Sequence, residues 1–182
     1  CGANEQLQLT VTGLSFNGKL TEKPADANLY SEVIGDSVTS GCDLYKKSNP
    51  PADELLRQNV TKSFAELTAQ ALGADVSIIS KSGGSAVYTK GNTPAYKLAG
   101  EYYKRALYGN LTSTWDFETD RQPDIVVISL GTNDEPGTRD DRKGLMNGMK
   151  KLMAQVRAAR PNATIVWGYE IMATGGNEYF QQ

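Results

Sequence analysis

The sequence predicts an α/β domain built on a doubly wound parallel sheet, and two features of its hydrophobic pattern support this. From residue 29 onward, short apolar segments of strand length alternate with longer segments whose apolar residues recur at helical spacing. This pattern is typical of β-α-β units with right-handed crossovers. Residues 125–128 (Ile-Val-Val-Ile) are apolar without interruption, which indicates a central parallel strand covered on both faces. We therefore expect a three-layer α/β domain at residues 29–182.

Four strands and three helices make up the predicted domain. The strands are expected at residues 29–34, 75–80, 123–130 and 164–172, and the helices at 52–72, 96–107 and 143–160. Gly73, Gly109 and Pro161 follow the three helices and are typical helix stops. Residues 6–20 instead alternate apolar and polar side chains around a turn at Asn17-Gly18, which predicts one or two antiparallel strands. Residues 1–28 are thus expected to be a β segment and a linker.

The composition argues against several classes of function. The net charge is −2 and no basic stripe is visible, so a nucleic-acid partner is not expected. No apolar run reaches the length of a transmembrane helix. The chain has no histidine and its two cysteines lack ligand-like spacing, so we expect neither a metal site nor a cofactor. No signal peptide is present, which indicates a cytosolic chain, a processed chain or an excised piece.

The cysteines and the glycosylation sequons bear on export. Cys1 and Cys42 are compatible with one disulfide and equally with two free thiols. Cys1 as first residue suits the lipidated N-terminus of a processed bacterial lipoprotein, and an arbitrary chain boundary explains it equally well. Sequons at Asn59, Asn110 and Asn162 favour export slightly. We therefore expect a secreted or cell-surface location.

The first polar motif, Gly-Asp-Ser-Val-Thr-Ser-Gly at residues 35–41, directly follows the first predicted strand. A doubly wound sheet binds its ligands at the carboxyl ends of its strands. We therefore expect Ser37 to project its hydroxyl into a cleft, where it needs a base to become a good nucleophile. The α/β-hydrolase pattern Gly-x-Ser-x-Gly is not present at this motif, so this is a different serine hydrolase signature. The alternative is a β-α turn of small polar residues.

Two further motifs follow the second and third predicted strands. Residues 80–85 (Ser-Lys-Ser-Gly-Gly-Ser) include Gly83, whose backbone N–H is a candidate oxyanion donor. Residues 130–134 (Leu-Gly-Thr-Asn-Asp) include Asn133, whose amide is a good oxyanion donor when it is held rigidly. Taken alone, the first of these is also a flexible turn and the second an Asx-type turn. Asp36 and Asp134 are expected to brace the loops by hydrogen bonds.

In order and spacing, the three motifs together resemble the blocks of the SGNH hydrolases, also called the GDSL family, over residues 31–172. The resemblance implies a flavodoxin-like sheet, Ser37 as nucleophile, and an oxyanion hole formed by Ser37, Gly83 and Asn133. A narrower resemblance is to the catalytic domain of carbohydrate esterase family two, because residues 73–83 and 161–169 look like its second block and fourth strand. Members of that family deacetylate acetylated xylan and mannan. They carry an N-terminal jelly roll, which implies that residues 6–20 are its tail.

The sequence departs from the family at the residue that acts as catalytic base. The family's Asp-x-x-His block has no match, since the chain contains no histidine. We expect the domain to be incomplete at its C-terminus, with the base in a missing segment or a second chain, and a natural pseudoenzyme is the alternative. Unless burial raises their pKa, the carboxylates near predicted strand ends are too weak as bases near neutral pH. These are Asp36, Asp43, Asp134, Glu135 and Glu170.

The sequence therefore predicts a serine esterase that removes acetyl groups from an acetylated polysaccharide or oligosaccharide, nearly inactive as this chain alone. Tyr88, just after the second motif, is the candidate for contact with the sugar. A non-catalytic carbohydrate-binding or scaffold protein with the same fold is an alternative from another class. Acyl transfer to a sugar is an alternative within the enzymes.

Overall fold

The computed structural model describes residues 11–44, 58–87, 98–108, 110, 112–134 and 142–168. The described strands are β1 (Tyr30–Gly35), β2 (Asp75–Ser80), β3 (Ile125–Ser129) and β4 (Thr164–Gly168). They form one sheet in the order β2-β1-β3-β4, and each neighbouring pair is parallel. The predicted α/β class and parallel sheet are confirmed.

The helices lie on both faces of the sheet, as the order of the strands requires. The described α-helices are α1 (Phe64–Leu72), α2 (Ala99–Tyr102) and α3 (Arg142–Ala159). The chain passes from β1 outward to β2 and then back across β1 to β3. Right-handed crossovers therefore place α1 on one face and α2 and α3 on the other. No helix in the described ranges is long and apolar enough to cross a membrane.

The hydrophobic core lies between α3 and one face of the central strands. Buried side chains of the sheet and of α3 share one cluster, which includes Ile34, Val126, Ile128, Met149, Leu152 and Val156. The α3 members recur at helical spacing, so they face the sheet together. The opposite face of β3 is only half-buried at Val127, and Val166 beside it on β4 is 44% exposed. The prediction that β3 is covered on both of its faces is thus confirmed for one face only.

Two predicted helices are shorter than the hydrophobic pattern suggested. The described part of the helix expected at 52–72 begins at Phe64, because the Ser63 side chain accepts a hydrogen bond from the Glu66 N–H and caps the helix there. The helix expected at 96–107 spans only Ala99–Tyr102 in the described residues. Beyond it, the Trp115 N–H donates to the Lys104 carbonyl at 2.9 Å, so a later segment takes the backbone bond that a longer helix would have used.

The β segment expected at residues 6–20 is not found in its described part, residues 11–20. These residues form no strand in the described structure, and Val11, Leu14 and Leu20 are largely exposed. The physical reason is that a strand needs a partner for its backbone, and no other described segment pairs with this one. Residues 6–10 and Cys1 lie outside the described residues. Cys42 is disulfide-bonded, which favours the disulfide over the free thiols.

A buried ionic cluster lies near the amino ends of the strands and has no signal in the sequence. Glu32 of β1 and Arg160, just after α3, are at most 1% exposed and form an ion pair at 2.6 Å. Tyr103 donates to Glu32 at 2.8 Å, and Arg160 also donates to Asp120 at 2.6 Å. Burial opposes the charge of Arg160, but its hydrogen bonds with the two carboxylates outweigh this and raise its pKa. Burial and the charge of Glu32 raise the pKa of Tyr103.

Candidate active site

The three predicted motifs follow neighbouring strands and therefore begin side by side. Gly35 at the end of β1 is in register with Ser80 of β2 and with Ser129 of β3. The first loop (residues 36–42), the second loop (residues 81–85) and the third loop (residues 130–134) leave the sheet from this edge. The carboxyl edge of the sheet is the usual place for a ligand in a doubly wound fold.

The first loop is a tight turn that carries Ser37. The Ser40 N–H donates to the Asp36 carbonyl at 3.0 Å and the Cys42 N–H donates to the Ser37 carbonyl at 2.9 Å. Only glycine fits at position 35, since a Cβ there would lie 1.9 Å from the Thr39 hydroxyl oxygen. Ser37 itself is half-buried, so it lies in a hydrogen-bonded turn and is not closed off from solvent.

The second loop presents Gly83 in a conformation that favours glycine. Its φ is +72°, and the neighbouring Gly84 N–H closes the turn onto the Lys81 carbonyl at 2.8 Å. Among the described residues, no acceptor is found for the backbone N–H of Gly83 or of Ser37. Both N–H groups are therefore suited to hydrogen-bond a substrate oxygen.

The third loop is joined to the other two through the Asn133 amide. Its Nδ2 donates one hydrogen to the Asp36 carboxylate and one to the Gly84 carbonyl, each at 2.9 Å. The second oxygen of Asp36 accepts from the Val38 N–H at 2.9 Å. Asp36 is fully buried, so the two bonds that its carboxylate accepts are charge-assisted and shielded from water. The arrangement fixes the orientation of the Asn133 side chain and uses both of its N–H groups.

Asp134 makes a second link between the loops. Its carboxylate accepts hydrogen bonds from the N–H groups of Ala86 at 2.8 Å and Val87 at 2.6 Å. Its own N–H closes a turn onto the Gly131 carbonyl at 3.0 Å. Asp134 is 2% exposed, so this anchor is shielded from water and holds the third loop against the residues that follow Gly83.

The remaining predicted site residue, Tyr88, lies outside the described residues, as do Glu135 and Glu170. The described residues contain no group of three His, Cys, Asp or Glu side chains that could hold a metal ion. Tyr102 is buried and donates to the Gly35 carbonyl at 3.0 Å, a contact that was not predicted from the sequence. It is 67 residues away in sequence, so no local pattern could have connected it with the first loop.

Comparison with known proteins gives consistent matches. A sequence model of the GDSL-like lipase/acylhydrolase family matches residues 33–181. The chain is 30% identical over 154 residues to the cellulase/esterase CelE of Acetivibrio thermocellus, which is 84% of this chain and 19% of that protein. It is 29% identical over 161 residues to an acetylxylan esterase/glucomannan deacetylase of Cellvibrio japonicus, which is 87% of this chain and 43% of that protein.

The fold is also found in a solved structure. A family two carbohydrate esterase from Clostridium thermocellum, in complex with cellohexaose, superposes with a TM-score of 0.77 at 30% identity. The match covers 86% of this chain and 47% of that chain. The chain thus spans less than half the length of each of these relatives.

Proposed function

The chain belongs to the GDSL-like lipase/acylhydrolase family, and from this premise we propose that it is the catalytic part of a serine esterase that removes acetyl groups from carbohydrate. The observation that carries the proposal is the pair of hydrogen bonds from Asn133 to Asp36 and to Gly84. These bonds hold a side-chain donor between the loop that bears Ser37 and the loop that bears Gly83.

In the proposed reaction, Ser37 Oγ attacks the acetyl carbonyl carbon as its proton passes to a base. The carbonyl oxygen becomes an oxyanion, which accepts hydrogen bonds from the N–H groups of Ser37 and Gly83 and from the Asn133 amide. The bond between the acetyl carbon and the sugar oxygen then breaks, and the sugar oxygen takes the proton from the base. Water attacks the acetyl-serine by the same route and releases acetate.

The amide of Asn133 must exchange a partner during this reaction, since both of its hydrogens are already bonded. The bond to the buried Asp36 carboxylate is charge-assisted and the bond to the Gly84 carbonyl is neutral, so the second is the weaker. We expect Gly84 to release its hydrogen to the oxyanion, while Asp36 keeps the amide oriented.

The base is proposed to be a histidine from outside these 182 residues, because the chain has none. It accepts the proton of Ser37 and returns it to the leaving sugar oxygen. Asp36, a buried carboxylate close to Ser37, is already committed to two N–H donors. Without a base, the 182-residue chain is expected to retain only the small rate that binding and the oxyanion hole supply.

The substrate is proposed to be an acetylated plant polysaccharide of the xylan or mannan type. Support comes from the relative in C. japonicus, which is named for acetylxylan and glucomannan, and from the similar esterase structure in complex with cellohexaose. Such polymers do not enter cells, so a secreted or cell-surface location follows. Tyr88 remains the proposed sugar contact.

A non-catalytic carbohydrate-binding protein is the second candidate. One observation favours it, namely that the 182 residues contain no histidine. A binder of this kind would hold the polysaccharide at the same sheet edge and would release no acetate.

The test measures acetate release from acetylated xylan by the full natural protein that contains this domain. The wild type is compared with Ser37→Ala and with the same protein ended at Gln182. We expect activity to be lost in both variants and to return partly in the shortened one when imidazole is added as an external base. Equal rates for wild type and Ser37→Ala would refute the nucleophile, and saccharide binding without any acetate release would favour the binder.

A further inference from the structure

We propose that Tyr102 is a positioning residue that keeps the first and second loops at a fixed separation, an inference that rests on the proposed esterase function. Tyr102 is the last residue of α2 and is 3% exposed. It lies behind the site and does not belong to any of the three motifs.

The hydroxyl of Tyr102 holds the end of β1. It donates to the Gly35 carbonyl at 3.0 Å in a buried position. The same carbonyl accepts the N–H of Lys81 at 3.1 Å. Gly35 directly precedes the first loop and Lys81 begins the second, so this one carbonyl joins both loops and Tyr102 supplies the second of its two hydrogen bonds.

The ring of Tyr102 lies against the second loop. A Cβ built on Gly84 would be 2.7 Å from the Lys81 carbonyl oxygen, 3.1 Å from the Tyr102 Oη and 3.2 Å from its Cε1, so the ring packs closely against the bare backbone of this glycine. The Gly84 carbonyl in turn accepts from Asn133 at 2.9 Å. The helix that carries Tyr102 is itself bonded to this loop, since the Ala99 N–H donates to the Ser85 carbonyl at 2.7 Å.

These contacts determine where the reacting groups stand. Ser37 Oγ and the N–H of Gly83 must converge on one carbonyl group, and an error of about 1 Å in such a geometry costs on the order of 10²-fold in rate. If the Tyr102 hydroxyl is removed, the Gly35 carbonyl keeps the bond from Lys81 and the strand still ends in place. The first loop then gains freedom relative to the second, which affects the chemical step more than the binding of a long polysaccharide.

The neighbouring tyrosine provides a matched control. Tyr103 is 2% exposed, and its hydroxyl donates to the buried Glu32 at 2.8 Å near the amino end of the sheet. The change Tyr103→Phe removes the same atom from an equally buried side chain, and it leaves a charged partner with one bond fewer. If a variant lost activity only because its fold was less stable, the loss should therefore be at least as large in Tyr103→Phe as in Tyr102→Phe.

The experiment measures kcat and KM for acetylated xylan in the full natural protein and in its Tyr102→Phe and Tyr103→Phe variants. We expect kcat to fall about 10- to 100-fold in Tyr102→Phe with KM within about two-fold, and both constants to stay within about two-fold in Tyr103→Phe. An unchanged kcat in Tyr102→Phe, or an equal loss in the two variants, would overturn the proposal.

A second measurement separates this inference from the esterase function. Amide hydrogen exchange is recorded on the three proteins and requires no activity. Tyr102→Phe should speed exchange in residues 36–42 and 81–85, and Tyr103→Phe should leave these loops unchanged. If the wild type releases no Ser37-dependent acetate, the proposed function fails and the exchange alone decides the role of Tyr102. Unchanged exchange in both loops would refute the role in either case.

Discussion

Replacing Asp36 with asparagine should disable Asn133, the proposed oxyanion donor, without removing it. The two oxygens of the buried Asp36 carboxylate accept one N–H each, from Val38 and from Asn133. Asparagine has one oxygen and one amino group at this end, so it can accept only one of these hydrogens. If the Val38 bond is kept, the Asn133 amide faces another donor and loses its anchor.

The size of the effect follows from the donor that Asp36 orients. Loss of one oxyanion donor typically lowers turnover about 10²–10³-fold, which corresponds to about 2.7–4 kcal/mol. We therefore expect Asn133→Ala to lower kcat by about that factor and Asp36→Asn by about 10- to 10²-fold. Because Asp36 acts through Asn133, the two changes should not add. The double variant should be no slower than Asn133→Ala alone.

The assay measures kcat and KM in the full natural protein, together with the thermal midpoint of each variant. Asp124→Asn is the matched control, since the Asp124 carboxylate also accepts a backbone N–H, from Tyr30 at 2.8 Å, but at the other end of the sheet. It should leave kcat unchanged. Two results would show that Asp36 does not act through the Asn133 amide. One is that the losses of kcat add in the double variant; the other is that Asp36→Asn is fully active while Asn133→Ala is slow.

Two further predictions concern the buried ionic cluster. Arg160→Met should lower the free energy of unfolding by about 3–5 kcal/mol, because it leaves the buried Glu32 without its cation. Urea unfolding measures this, with Lys151→Met on the exposed side of α3 as the control. An equal loss of stability in the two variants would contradict the prediction. Burial raises the pKa of Asp120, but hydrogen bonds from Arg160 and Trp115 outweigh it and leave the pKa lowered. A carboxylate with a lowered folded-state pKa stabilises the fold above its ordinary pKa of about 3.9 and loses this contribution as pH falls. Wild type should therefore lose more stability than Asp120→Asn below about pH 4, and parallel acid-unfolding curves would refute this.

Local pattern predicted the strands well where burial and hydrogen bonding agree with it. β2 spans Asp75–Ser80, the range expected from its apolar residues, and α3 begins and ends within one residue of the prediction. The pattern failed where a competing partner decides the outcome. The helix expected at 96–107 ends early in the described structure because the backbone at Lys104 bonds to Trp115, a residue beyond the window that periodicity samples.

In the site, too, local pattern could select single residues but could not predict the contacts between them. Ser37, Gly83 and Asn133 could be selected because each follows a predicted strand, and parallel strands bring their carboxyl ends to one edge. Their roles in catalysis stay predictions. The hydrogen bond between Asn133 and Asp36 joins residues 97 positions apart, and the bond from Tyr102 to Gly35 joins residues 67 apart. No local signal specifies such pairs, since each depends on loops that meet only after the sheet has formed.

By itself, then, the sequence determined the α/β class, the strands and the three polar motifs, because hydrophobic spacing and turn residues act over a few positions. Only the tertiary structure decided which groups share hydrogen bonds. It joined Asp36, Asn133 and Gly84 into one assembly, placed Tyr102 behind two loops, and buried Glu32 with Arg160. These choices depend on strand order and packing density, which are properties of the whole domain.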